Sequence, residues 1–289
     1  MKKAVIILSG GLDSACMTSY LKEGYQLYGV TFAYGQRASQ EIKAAKRIAK
    51  LLKLKEHKIL DISFMKNLYG ETNVLTSTKK KMPSKFEYSI VVPIRNAVFL
   101  SIATAWAFTL NAELVAYGAQ KGDTQYPDCR PAFSRKLAAA LNQGEIDGIK
   151  KKIRHKIKIW SPYSEGISKS DLIKTGHRVL GNEIFKTWSC YLNLKSQCGK
   201  CESCNNRKKE FNKAKISDNT KYLDYLYNTY FFKTIPRINR YHTRNTAPTV
   251  PQKIQFSASW FIGASSATLQ SVTCETCSQS HPFITTKSS

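Results

Sequence analysis

Two short stretches carry the residue types that do chemistry. The first is Ser9-Gly10-Gly11-Leu12-Asp13-Ser14, directly after the apolar run at residues 4–8. Glycines between a strand and a helix let the backbone come close to a ligand and adopt φ > 0. Successive N–H groups form a nest there, and the helix start adds positive potential. Such a turn binds an anion such as a phosphate, and Ser9 and Ser14 add hydroxyl donors. Asp13 is placed to hold Mg²⁺ beside the phosphates. The stretch is not a Walker A loop, because no Gly-Lys-Ser/Thr follows, and it is not a dinucleotide fingerprint, because G-x-G-x-x-G is absent.

The second stretch is Cys190, Cys198, Cys201 and Cys204, spaced C-x7-C-x2-C-x2-C. Four thiols in one short loop suit a closed tetrahedral zinc site, which is structural rather than catalytic. An iron–sulfur cluster and redox thiols are the alternatives. Gly199 allows the tight turn between ligands, and Lys200 with residues 207–209 offsets the negative charge. Cys16 reads as a small core residue, and neither it nor Cys129 reads as a ligand. Cys274, Cys277 and His281 make a weaker C-x2-C-x3-H signal that fits unliganded thiols better.

These stretches need a scaffold. The 289 residues are 42% hydrophobic, enough for one large domain or two small ones. Lys plus Arg number 45 against 20 Asp plus Glu, a net charge of +25. That excess favours an anionic partner or a Lys-rich cell interior. Lys2 and Lys3 precede too short an apolar run for a signal peptide, and no stretch stands out as a membrane span. The expectation is a soluble, cytoplasmic protein, whose eight cysteines serve metal or catalysis rather than disulfides.

Patterning predicts strands at 3–8, 25–32, 57–60, 113–117 and 156–160. Helices are predicted at 15–23, 40–54, 97–110, 131–141 and 168–180. Asp13 or Ser14 is the expected cap of the first helix and Ser168 that of the last. Residues 64–88 lack a period and read as a mobile insertion. Strand–helix alternation means a mostly parallel sheet covered on both faces. From about residue 227 acids almost vanish, Ser and Thr are dense, and a poorly structured tail is expected. The domain boundaries are therefore 1–186 for the α/β domain, 187–226 for a metal-binding and C-terminal helical element, and 227–289 for the tail.

Ser9-Gly10-Gly11-Leu12-Asp13-Ser14 resembles the pyrophosphate loop of the PP-loop ATPases. That resemblance implies a Rossmann-like α/β fold, with a parallel sheet of the PP-loop ATPase type, and adenylation of a substrate oxygen by ATP. With "FAYGQR" (32–37), "VVPIRN" (91–96), "YPDCRPAF" (126–133) and the cysteine cluster, in that order, the chain resembles the 7-cyano-7-deazaguanine synthase family over about residues 3–226. The resemblance implies a ligase that takes 7-carboxy-7-deazaguanine, ammonia and ATP, with Mg²⁺ and a C-terminal four-cysteine Zn²⁺ element. It places nucleotide binding on the segment Leu8-Ser9-Gly10-Gly11-Leu12-Asp13-Ser14-Ala15-Cys16-Met17-Thr18 and catalysis on Asp13, Ser14 and Arg95. Tyr34, Arg37, Tyr126, Asp128 and Arg130 are the substrate-site candidates. Arginines there neutralise phosphate or carboxylate, a tyrosine stacks on the purine-like ring, and Asp123 or Asp128 accepts from its N–H edge. No nucleic acid or membrane is required, and self-association is compatible with the resemblance.

Two departures stand out. The family commonly has Asp where Ala33 stands, and the tail has no family counterpart. The competing readings are a relative that stops at the amide or modifies another target, a tRNA-modifying adenylating enzyme using the basic run 150–158 and Lys79–Lys81, and a zinc-binding interaction module.

Overall fold

A computed structural model describes residues 1–77 and 79–223. Contacts group residues 1–237 into one unit, which holds every described residue. Five strands form one sheet in the order β3-β2-β1-β4-β5: β1 (Lys2–Ile7), β2 (Tyr25–Ala33), β3 (Glu56–Asp61), β4 (Leu114–Ala116) and β5 (Lys158–Trp160). Every pairing is parallel. The chain builds outward from β1 to β3 and then returns to the far side of β1 to lay down β4. The crevice at that reversal, beyond the carboxyl ends of β1 and β4, is where doubly wound sheets bind ligands.

From Ala4 onward β1 is apolar because it serves two cores. Ala4, Ile6 and Leu8 face α1 (Leu12–Leu21), α2 (Gln40–Leu51) and α7 (Lys169–Leu180). Val5 and Ile7 face α4 (Arg95–Thr109) and α5 (Pro131–Gly144). A strand covered on both faces cannot alternate apolar with polar. Each fully buried Ile or Leu contributes about 1.5–3 kcal/mol. Ser168 caps α7 as expected, its hydroxyl accepting from the Asp171 N–H at 3.3 Å.

Four expectations change. Helix α1 starts at Leu12, with Gly11 at the cap position and no side-chain cap, so neither Asp13 nor Ser14 caps it. The stretch expected as a mobile insertion contains α3 (Met65–Tyr69) and supplies Val74 and Leu75 to a small core with Ile90 and Val92. It is pinned to the site by Arg37 N–H donating to the Leu75 carbonyl at 3.1 Å. Two helices escaped the periodicity, α6 (Ile146–Lys150) and α8 (Glu202–Lys213). Finally, the segment Tyr88–Thr109 is long and apolar enough to cross a membrane by length and composition. In the fold it is a 3₁₀ turn, a left-handed residue at Ile94 (φ 46°) and α4, which buries Phe99, Leu100, Ala103 and Ala107 under the sheet.

The basic run 150–158 lies at the amino-terminal edge of the sheet, where Lys152, Arg154, Lys156 and Lys158 line a groove with Lys2. That is the end away from the crevice. The Cys274, Cys277 and His281 motif and the tail lie outside the described residues.

Helix α7 runs so close to α1 that a Cβ at Gly176 would sit 3.0 Å from the Cys16 Cβ and closer still to its sulfur. Gly176→Ala should cost about 1–3 kcal/mol by overpacking. The melting temperature should drop about 2–4 °C per kcal/mol. Cys16→Ala in the same chain should recover part of the loss. An unchanged melting temperature in Gly176→Ala would contradict this packing.

Candidate active site

The turn at residues 9–14 closes on itself. Gly10 has φ +83°, and a Cβ there would lie 2.6 Å from the Ala45 amide nitrogen, so the turn sits directly on the first turns of α2. From the other side the Trp188 N–H donates to the Gly10 carbonyl at 2.9 Å. Ser9 and Ser14 share a hydroxyl hydrogen bond at 3.0 Å, and Ser14 also donates to the Gly11 carbonyl at 3.1 Å. The first turn of α1 is left without a side-chain cap. A helix start in this state presents N–H groups and a positive dipole end to an anion.

A cavity of about 290 Å³ opens over this turn. Its walls come from the turn, the loops after β2 and β4, the start of α4, and the segment that leads into the cysteine cluster. Ser9, Gly11, Leu12, Asp13, Ser14, Tyr34, Arg37, Arg95 and Tyr126 line it, as does Asp123. Leu8, Ala15, Cys16, Met17 and Thr18 do not, because they are buried beneath the turn. Gly10 supports the turn from behind. Asp128 lies off the cavity, its carboxylate accepting from the Asn96 backbone N–H at 3.2 Å in the first turn of α4. Arg130 is also outside, its guanidinium spent on the Thr124 carbonyl at 2.9 and 3.2 Å. Ala33 ends β2 beside Asp61, whose carboxylate turns back to the Ser63 N–H at 2.8 Å.

Charge in the cavity is arranged in two groups. In one, the Lys169 ammonium reaches Asp13 Oδ2 at 2.9 Å. Asp13 Oδ1 is buried and has no partner among the described residues. Asp123 stands near; burial, then repulsion from Asp13, pushes its carboxyl up to about 6. Both its oxygens accept from Gln120, at 2.9 Å each. In the other group, Arg95 donates to the Tyr34 hydroxyl at 3.1 Å. Burial opposes the Arg95 charge, but Tyr34 and Asp128 outweigh it and hold the guanidinium protonated. Tyr34 is packed between Phe99 and Arg95, whereas Tyr126 makes a T-shaped ring contact with Phe86.

The four cysteine sulfurs lie within 4.8 Å of one another. A single ion bound at about 2.3 Å by four thiolates sets them about 3.8 Å apart. Backbone N–H groups of Leu192 and Cys198 point at the Cys190 sulfur, and those of Lys200 and Cys201 at the Cys198 sulfur. This element is locked to the site by Arg207 of α8, which is fully buried. Arg207 donates to Thr220 Oγ1 at 3.0 Å, Thr187 Oγ1 at 2.8 Å, Ser189 Oγ at 3.0 Å and the Ile184 carbonyl at 3.1 Å.

Known proteins agree with this arrangement. The model of the family described as "Queuosine biosynthesis protein QueC" matches residues 3–215, a span that holds the turn, the cavity and all four cysteines. The chain belongs to that family. Among QueC relatives, the 7-cyano-7-deazaguanine synthase of Picrophilus torridus is 39% identical over 241 residues, covering 80% of this chain and 96% of its own. That of Aquifex aeolicus is 37% identical over 204 residues, covering 69% and 92%. Of solved structures, an NMN synthetase from Francisella tularensis is 16% identical with a TM-score of 0.40, covering 83% of this chain and 89% of its own.

Among the cavity and support residues that were not sequence candidates are Glu41, Lys169, Trp188 and Arg207. None belongs to a motif with a chemical signature. Lys169 follows a good helix cap, and Glu41 sits at the head of an amphipathic helix where an acid is ordinary.

Glu41 lines the cavity, makes no ion pair among the described residues, and is pushed up to about 7 by burial, against the pull of Arg95 and Gln36. A carboxyl raised in the folded state binds its proton more tightly there than when unfolded. Its stabilising effect is present below about pH 4.5 and is lost as pH rises through about 7. Glu41→Gln should therefore melt higher than wild type at pH 8, by about 2–4 °C. The gap should close toward pH 4.5, and thermal melts at the two pH values check this. A gap independent of pH would remove the burial argument.

Proposed function

We propose that this QueC-family chain converts 7-carboxy-7-deazaguanine, ammonia and ATP into 7-cyano-7-deazaguanine. The observation that carries the reading is the uncapped turn at residues 9–14 beneath a cavity that gathers Asp13, Lys169, Arg37 and Arg95. A substrate carboxylate oxygen attacks the α-phosphorus of ATP, and pyrophosphate leaves onto the turn. The N–H groups at the start of α1, with Lys169, hold that charge. Ammonia then adds to the acyl carbon, and the C–O bond to AMP breaks to give the amide. A second adenylation on the amide oxygen, followed by loss of AMP, leaves the nitrile.

Asp13 fits Mg²⁺ here, because Oδ2 is held by Lys169 while the buried Oδ1 is unpartnered. When bound, the ion would neutralise phosphate charge. Arg95 and Arg37 are proposed to meet the substrate carboxylate, and Ser14 the phosphates. Tyr126, with a freer ring face than Tyr34, is proposed to stack on the deazaguanine.

Cys190, Cys198, Cys201 and Cys204 fit one Zn²⁺, since an iron–sulfur core would spread the thiolates around several metal atoms. The closed ligand set gives that ion a structural task. It holds the wall that carries Trp188, Ser189 and Tyr191.

Incubation of the purified protein with the acid, ammonium, Mg²⁺ and ATP, read by mass spectrometry, should give the nitrile with AMP and pyrophosphate. Amide alone would indicate a relative that stops after one activation. No product with tight, salt-sensitive tRNA binding would favour the tRNA-modifying reading. Asp13→Ala should lose turnover by about 10²-fold or more and, because it strands the buried Lys169 ammonium, should still fold but melt lower than wild type. Cys201→Ser should lose the roughly one zinc per chain found by metal analysis and become less soluble. Unchanged zinc content would reject the four-cysteine site.

A further inference from the structure

The proposed conversion has a proton balance that the cavity must serve. Both carboxylate oxygens leave on AMP, and the nitrogen enters as ammonia and ends as a nitrile. Three protons must therefore leave that nitrogen. None of the described histidines lines the cavity. Of the acids that do, Asp13 is paired with Lys169, Asp123 accepts twice from Gln120, and Glu202 accepts from the Tyr191 hydroxyl at 2.8 Å.

Glu41 is differently placed. It belongs to the first turn of α2, the turn on which Gly10 rests, so it stands beside the pyrophosphate turn. Its one hydrogen-bonding side-chain neighbour is Gln36. The Gln36 carbonyl oxygen accepts from the Tyr34 N–H at 2.9 Å and its NH₂ donates to the Phe32 carbonyl at 3.2 Å, which fixes the amide with its second N–H as the group left to meet the carboxylate. Gln36 thus orients Glu41 without neutralising it. The titratable groups facing Glu41 are Tyr34 after β2 and Arg95 at the start of α4. Asp13, Asp123, Lys169 and Glu202 line the same cavity.

We infer that Glu41 is the base that takes protons from the nitrogen as ammonia adds to the adenylated substrate and again as the adenylated amide collapses to nitrile. This rests on the function proposed above. In the first step the ammonia lone pair forms the C–N bond, the C–O bond to AMP breaks, and an N–H proton passes to the Glu41 carboxylate, which returns it to solvent. After the second adenylation the O-adenylated amide gives up a second N–H proton to become the imidate, and the last N–H proton follows the same path as the second C–O bond breaks and the nitrile forms. A carboxyl near 7 is suited to accept and release protons at neutral pH.

The test separates the half-reactions in wild type, Glu41→Gln and Glu41→Asp. ATP–pyrophosphate exchange that depends on 7-carboxy-7-deazaguanine reports adenylation and needs no base at nitrogen. Glu41→Gln should keep that exchange within about threefold and lose amide formation by about 10²–10⁴-fold. The wild-type fall of kcat below pH about 7 should vanish in Glu41→Gln. It should persist in Glu41→Asp at an intermediate rate. Loss of exchange together with amide formation in Glu41→Gln would make Glu41 a substrate-binding group and overturn the inference. So would survival of the acid limb. No exchange in wild type would instead overturn the proposed function, and the inference with it.

Discussion

The site depends on one close approach, the left-handed turn of Gly10. With φ +83° and no room for a Cβ, this residue lets the loop after β1 lie flat on α2. The Gly10 carbonyl then meets the Trp188 N–H, which brings the segment ahead of the cysteine cluster onto the same loop. Three parts of the chain far apart in sequence are thus held at the head of α1. A side chain at Gly10 would separate them, because its Cβ would strike backbone, which cannot move aside as a flexible side chain does.

The cavity above that turn is electrostatically mixed. Lys169 and Asp13 form a largely desolvated pair, and Arg95 is held charged beside Tyr34 and Asp128. Desolvation strengthens each of these interactions and also raises Asp123 and Glu41 out of the ordinary carboxylate range. A site of this kind handles a tetra-anionic nucleotide and proton transfers in the same volume. Asp128 and Arg130 fill a different need. They brace the starts of α4 and α5, so the loop after β4 keeps its shape and presents Tyr126.

The cysteine element is part of the site wall and is tied there by a buried cation. Arg207 donates to five groups on four residues between Ile184 and Thr220, with Asp218 4.0 Å away. Loss of one partner would strand a buried charge, which costs about 3–5 kcal/mol. This network explains why periodicity alone did not place α8 within the helical element expected at 187–226. Its buried face is Cys204, Arg207, Glu210 and Phe211, so the helical period is present, but three of its four members are not aliphatic or aromatic.

By itself the sequence determined the alternating strands and helices, the glycine turn after β1 and the cluster of four cysteines. Each is encoded locally: by an apolar run needed for burial on two faces, by glycines at a left-handed turn, and by thiols at short spacing. Packing decided the rest. It made residues 64–88 a packed segment, because Val74, Leu75, Ile90 and Val92 meet only once the chain has folded. It moved Arg130 out of the cavity and brought in Glu41, Lys169 and Trp188. It also set which carboxyls are raised, since desolvation and neighbouring charge arise from residues that are distant in the chain and adjacent only in space.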